Sequence, residues 1–152
     1  MVKKIKDMIY YESVGRRKES VARVRLYIVA EKGGSVPVKS KKISAGEIFL
    51  NDKKIEESYI LKNEQVQYEA PLKMVDSLDR FAVSIKVSGG GKNGQLGAII
   101  HGLARSLCLV DPENYKKTLR EAGYLTRDPR TRERRMVGMG GKSRRSRQSP
   151  KR

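Results

Sequence analysis

The basic end of this chain limits its folding more than any other feature. From Arg127 to Arg152 there are eleven Lys or Arg and two acids, so the stretch carries 11 − 2 = +9 of a net charge of +17. Its last part, Lys142 to Arg152, has six cations, no acid and no large apolar side chain. Such a segment cannot bury enough apolar surface to offset its ordering entropy. It is expected to be a disordered or extended extension, 127–152, leaving residues 1–126 to build the fold. Arg with Ser, Gly and Gln suits an arm that orders along phosphate. The plainer alternative is a solvated tail that only aids solubility, although so strong a single-sign field attracts any polyanion.

The first 126 residues hold 34 − 11 = 23 basic and 17 − 2 = 15 acidic residues, net +8. The body is therefore a second basic surface, and it is long enough for one globular domain with its own core. The single cysteine, Cys108, excludes an internal disulfide and a multi-cysteine zinc site. It lies in an apolar helical stretch and is expected to act as a small hydrophobe. No run approaches the roughly 18 apolar residues needed to cross a membrane. The early lysines are not followed by an apolar signal region, so a cytoplasmic chain is expected.

Periodicity predicts a short strand over Met8–Val14, a turn at Gly15-Arg16-Arg17-Lys18, and a strand over Ser20–Val29. The second strand puts Ala22, Val24, Leu26 and Ile28 on an apolar side, with Arg23 and Arg25 on the other. Residues 31–42, with two glycines, a proline and four lysines, predict a solvated loop. Glu47–Leu50 and Lys53–Ile55 around Asn51-Asp52 predict a small hairpin. A helix capped by Asn63 is expected to Leu78, with Pro71 starting a new turn or kinking it. A strand over Arg80–Ser88, a glycine loop Gly89–Gly94 and a helix from Gln95 follow. Asp111-Pro112 opens a last helix that stops at Gly123. The sum is an α+β domain with helices on a mostly antiparallel sheet.

Three elements stand outside these periodicities. Gly15, Arg16, Arg17 and Lys18 bring three cations together at a turn. Beside the basic strand face, an RNA contact is favoured over a solvated hairpin tip. Gly89, Gly90 and Gly91 with Lys92 precede a helix start, where an anion is favoured. The loop matches neither the P-loop nor the dinucleotide fingerprint, and a flexible connector is its alternative. The third is the arm that begins at Arg127 and Arg130. No catalytic set is visible: His101 is the sole histidine, and a structural or RNA-facing role suits it better than acid–base work. No metal ligand set, cofactor site or RNP-like aromatic pattern appears.

These motifs converge. The chain resembles the bacterial-type small-subunit ribosomal protein S9 family. The matching residues are Val14-Gly15-Arg16-Arg17-Lys18-Glu19-Ser20-Val21-Ala22-Arg23-Val24 and Ser88-Gly89-Gly90-Gly91 with Gly94-Gln95. Leu125-Thr126-Arg127-Asp128-Pro129-Arg130, Glu133-Arg134 and the terminal Lys151-Arg152 complete the match. The resemblance implies a two-layer α+β domain like the second domain of ribosomal protein S5, with a left-handed β-α-β crossover. It implies a structural, non-enzymatic role with ribosomal RNA of the head and neighbouring head proteins as partners, and no membrane or homo-oligomer. The rRNA contacts would be Gly15–Lys18, Arg23, Arg25, Gly89–Lys92, Arg127, Arg130, Arg134, Arg135, Lys142, Arg144, Arg145 and Arg147. Lys151 and Arg152 would reach the anticodon loop of P-site transfer RNA. Two departures stand out: Gln148-Ser149-Pro150 lacks the family's usual aromatic before the tip, and residues 31–48 form a longer, lysine-rich stretch. The rival function is a free-standing, histone-like nucleic-acid compactor.

Overall fold

The computed structural model describes residues 2–5, 8–29, 34–38 and 41–134. Arg135, Lys142, Arg144, Arg145, Arg147, Lys151 and Arg152 lie outside the described residues, as does the proposed arm beyond Arg134. In chain order the strands are Val2–Ile5 (β1), Met8–Arg17 (β2), Ser20–Ile28 (β3), Ser35–Val38 (β4), Lys41–Ser44 (β5), Ile48–Leu50 (β6) and Lys53–Lys54 (β7). Then come Ile55–Ser58 (α1), Lys62–Met74 (α2), Phe81–Ser88 (β8), Lys92–Val110 (α3) and Pro112–Glu121 (α4). The main sheet has the order β1-β2-β3-β8-β6-β7. Among the described residues only the β6–β8 pair is parallel, and α1 and α2 lie in the crossover that joins those two strands. The expected α+β class and mostly antiparallel sheet are both present.

The core follows from two periodicities meeting. Ala22, Val24 and Leu26 of β3 and Val83, Ile85 and Val87 of β8 point to one face. Against them α3 lays Leu96, Ile99, Leu103 and Leu107, all buried and spaced three or four apart. Contact between α3 and β2 is unusually intimate. A Cβ on Gly15 would collide with the Ala98 carbonyl and the Gly102 amide. A Cβ on Gly102 would lie 2.7 Å from Val24 Cγ2. Ser13 donates its hydroxyl to the Gly102 carbonyl at 2.6 Å across the same seam.

Several expectations need correction. Gly15 to Arg17 do not form a turn: β2 runs through Arg17, and only Lys18 and Glu19 turn. The reason is α3, which needs a flat, side-chain-free strand at Gly15. The expected loop 31–42 instead contains β4 and, with β5, forms a separate two-stranded sheet. Val36, Val38 and Ile43 of this hairpin pack on Tyr10, Tyr27, Ala82 and Phe49, so part of the main sheet's second face is covered too. Asn63 is not the cap of α2: Leu61 stands there, without a side-chain cap bond. That helix ends at Met74, short of Leu78, and contains Pro71. Helix α3 starts at Lys92, three residues before Gln95. Ile28 is exposed although its strand neighbours are buried. Strand β1 and helix α1 were not anticipated.

The hairpin at Asn51-Asp52 is present, both residues having positive φ. So is the cap at Asp111, whose Oδ1 accepts the Asn114 amide at 3.1 Å. Gly123, at φ +79°, ends α4 as expected.

Candidate nucleic-acid interface

The turn after β2, the start of α3 and the beginning of the C-terminal extension meet at one place. They line an open cleft of about 700 Å³ formed by Lys18, Glu19, Gly90 to Gly94, Thr131 and Arg132. Three stretches far apart in sequence, each singled out for its charge or glycines, thus share one surface.

Each wall has a physical cause. Lys18 occupies the left-handed region at φ +50°, which closes the tight turn and leaves its side chain exposed. Ser20, fully buried, donates to the Gly89 carbonyl at 3.1 Å, and Gln95 Nε2 donates to the same oxygen at 3.1 Å. Together they hold the glycine loop against the turn. Gly89 and Gly90 have φ of +74° and +62°, and a side chain at Gly89 would meet the Glu19 carbonyl at 2.6 Å. Gly91 is different: nothing lies within 4 Å of where its Cβ would be. It is the N-cap of α3 and supplies no side-chain cap, so the first helical amides open toward the cleft. An uncapped helix start beside Lys18 and Arg132 is an electropositive surface with donors for an anion.

The extension is fastened where it begins. Arg17 forms an ion pair with Asp128, and the stem of Arg17 packs on Gly97 of α3. Asp128 also accepts from Arg130, whose Nη2 lies 2.6 Å from Oδ2 and whose amide lies 2.9 Å from Oδ1. The Arg130 guanidinium and amide, then the Arg17 guanidinium, hold the Asp128 carboxyl well below the usual carboxylate range. His101 clamps the same junction. Its Nδ1 accepts the Arg16 amide at 3.3 Å, and its ring also bonds the backbone of Leu125. Burial, followed by nearby Arg105, pushes its imidazole pKa down, so the ring is a neutral strut.

The sequence-predicted residues therefore divide. Among the described residues, the side chains of Arg16, Lys18, Arg23, Arg127, Arg132 and Arg134 form no ion pair, and all are exposed. Arg17 and Arg130 are engaged with Asp128. Arg25 is engaged as well: Nε donates to Glu12 at 2.8 Å and the guanidinium lies 5.0 Å from the Tyr10 ring centre. Lys92 lines the cleft, yet its ammonium lies 2.9 Å from Glu64 Oε2, a close ion contact without an aligned hydrogen bond. Gly15 is buried under α3 and is a packing residue. Arg23 and Arg25 face the side of the sheet away from α3, where Lys86 stands directly across from Arg23.

Sequence reasoning missed Arg132, Lys86 and Arg105. Arg132 was one cation in a run with no spacing to single it out. Lys86 was signalled by alternation along β8 (its neighbours Ile85 and Val87 are buried). Arg105, whose Nη1 donates to the Val14 carbonyl at 2.5 Å, gave no signal. Among the described residues no group of three or more His, Cys, Asp or Glu is placed to hold a metal ion. Cys108 is half-buried, and burial pushes its thiol pKa up, which makes it a poor nucleophile. No described helix is long and apolar enough to cross a membrane.

A family model described as ribosomal protein S9/S16 matches residues 15–152. The match takes in the β2–β3 turn, the glycine loop, the cleft and the whole basic extension. With that span matched, the chain belongs to the ribosomal protein S9/S16 family.

Proposed function

We propose that the chain is a structural constituent of the small ribosomal subunit that binds ribosomal RNA in the head. Membership of a ribosomal protein family supports the structural role. The observation that carries RNA docking is the shared cleft, where Lys18, the open amides after Gly91 and Arg132 meet. Arg16, Arg127 and Arg134, and Arg23 on the sheet face away from α3, are further exposed cations of the body and of the start of the extension. Phosphates seated there would position the body, because such contacts fix register without reading sequence. Arg17 and Arg130 act differently: paired with Asp128, they anchor the start of the extension, whose Thr131 and Arg132 line the cleft. The extension would then thread between RNA helices, with Lys151 and Arg152 touching the anticodon-loop backbone of P-site transfer RNA. Neighbouring head proteins are further partners, and the ribosome in the cytoplasm is the location. Kinship with the second domain of ribosomal protein S5 would reside in the parallel β6–β8 pair and its crossover.

Sedimentation of a tagged copy through a salt-washed gradient tests this. Stoichiometric comigration with the small subunit is expected. A chain that stays near the top or follows DNA sinks the proposal in favour of a histone-like compactor. For the tip, Arg152→Lys keeps the charge but loses the bidentate fork. Weaker P-site transfer RNA retention in intact subunits is expected. Unchanged retention would remove the special role of Arg152.

A further inference from the structure

One face of this basic protein is acidic and apolar at once. Between Glu47 and Glu69 the sequence holds six acids and three lysines, 3 − 6 = −3, within a chain of net +17. At the corner between α1 and α2 two consecutive aliphatic residues point into solvent, Ile60 at 75% and Leu61 at 62% exposure. Val66, one turn into α2, is 57% exposed. Exposed aliphatics gathered at one corner and bordered by charge mark contact surfaces more often than accidents of composition. The local chemistry reinforces the point. Leu61 fills the N-cap position of α2 and makes no cap bond. Ser, Asp or Asn there would add about 1 kcal/mol to helix stability. A residue that forgoes a local gain to present an apolar group is expected where a surface has another task.

The acids beside the corner are unequal. Glu64 is held by Lys92 and Glu69 by Lys73, each at 2.8 to 2.9 Å. Glu56 and Glu57, in the first turn of α1, form no ion pair among the described residues and are exposed. Next to Glu56 a small pocket of about 120 Å³ opens between Ile55, Tyr68 and Glu69. Ile48, Ile55, Tyr68 and Leu78 give its lining an apolar part, Glu47, Glu56 and Glu69 give it carboxylates, and Lys54, whose ammonium lies 2.8 Å from Glu47, is the one cation in that lining.

We infer that this α1–α2 face docks a basic, apolar-bearing segment of another polypeptide, with its Lys or Arg on Glu56 and Glu57 and its aliphatics on Ile60, Leu61 and Val66. Charge complementarity selects the occupant. RNA and anionic lipid are repelled by the carboxylates, whereas a cationic peptide is drawn in and keyed by the apolar corner. Glu64 and Lys92 mark the border with the cleft, so the protein would meet RNA and a protein partner on adjoining but oppositely charged faces. The inference goes beyond RNA docking and does not require it.

A photo-crosslinking residue placed at Val66 of the full chain, expressed in cells, tests it. Crosslinked products are sequenced from whichever gradient fraction carries the chain. The expected product is a polypeptide joined within a segment rich in Lys or Arg and aliphatic residues. Reversing charge with Glu56→Lys and Glu57→Lys should cut that yield about tenfold, equivalent to roughly 1.4 kcal/mol. The affinity of the purified variant for small-subunit ribosomal RNA should not fall. Crosslinks to RNA, to a second copy or to nothing overturn the inference, as does a yield indifferent to charge reversal. A basic-polypeptide product outside the small-subunit fraction would uphold this face while sinking the ribosomal proposal.

Discussion

Gly15 and Gly102 set how closely α3 approaches the sheet, and they do so in different ways. A Cβ on Gly102 meets Val24 Cγ2 at 2.7 Å, the end of a stiff, fully buried side chain. Alanine there gains about 1 kcal/mol of helix propensity but incurs about 1–3 kcal/mol of overpacking. A net loss near 1 kcal/mol is expected from urea midpoints. On Gly15 the colliding atoms are backbone, so the helix itself must shift. Gly15→Ala should therefore lose more, about 3 kcal/mol. Equal midpoints for the two variants would mean the seam is looser than its geometry. His101 gives a second residue-scale prediction. It is the only histidine, and its folded pKa lies below the ordinary value of about 6.5. Below that value the unfolded chain takes up a proton that the folded chain resists, so stability should fall as pH drops from 7 toward 5.5. In His101→Gln that slope should flatten, and a slope that survives would assign it to other groups.

At the level of elements, β3, β8, α3 and α4 were legible because each carries a full period of apolar residues or an unambiguous cap. Val24, Ile85 and Leu103 are buried where alternation and helical spacing put them. Two of the misreadings share a cause: the deciding partner lay far away in sequence. Gly15 looked like a turn residue because α3, which flattens it into strand, begins 92 − 15 = 77 residues later. The β4–β5 hairpin was hidden by its lysines and proline, since its four-residue strands gain their partner surface from Tyr10, Tyr27, Ala82 and Phe49. The site was legible as three charged or glycine-rich stretches; that they converge is a tertiary fact no local pattern holds. The hairpin also makes a testable unit. Ile43 is 2% exposed and packs in the smaller cluster, apart from the helical core. Ile43→Ala should weaken the hairpin by about 2–3 kcal/mol through local opening. Hydrogen exchange should then show Val36 and Ile43 amides losing protection while β3 and β8 keep theirs. Uniform loss across both sheets would show that the hairpin is integral to global stability.

For the whole molecule the governing quantity is charge distribution. The extension from Arg127 holds 11 of 34 basic residues, and the body without it keeps a net charge of 23 − 15 = +8. Deleting 127–152 should leave ribosomal RNA binding that is weaker and less salt-sensitive. The log affinity against log salt slope should flatten by about 0.7 to 0.9 for each phosphate the truncated chain no longer neutralises. An unchanged slope would show that the extension neutralises few phosphates. The order of the cleft's walls along the chain has a bearing on biosynthesis. They come from residues 18–19, 90–94 and 131–132, and the densest cations follow last. Synthesis proceeds from the N-terminus, so a nascent chain can pair β2 with β3 early but has no complete cleft until residue 132 has emerged. The less basic body, net +8 over 126 residues, thus emerges before the +9 concentrated in the last 26, so the strongest attraction for polyanions arrives only after the residues that it would position.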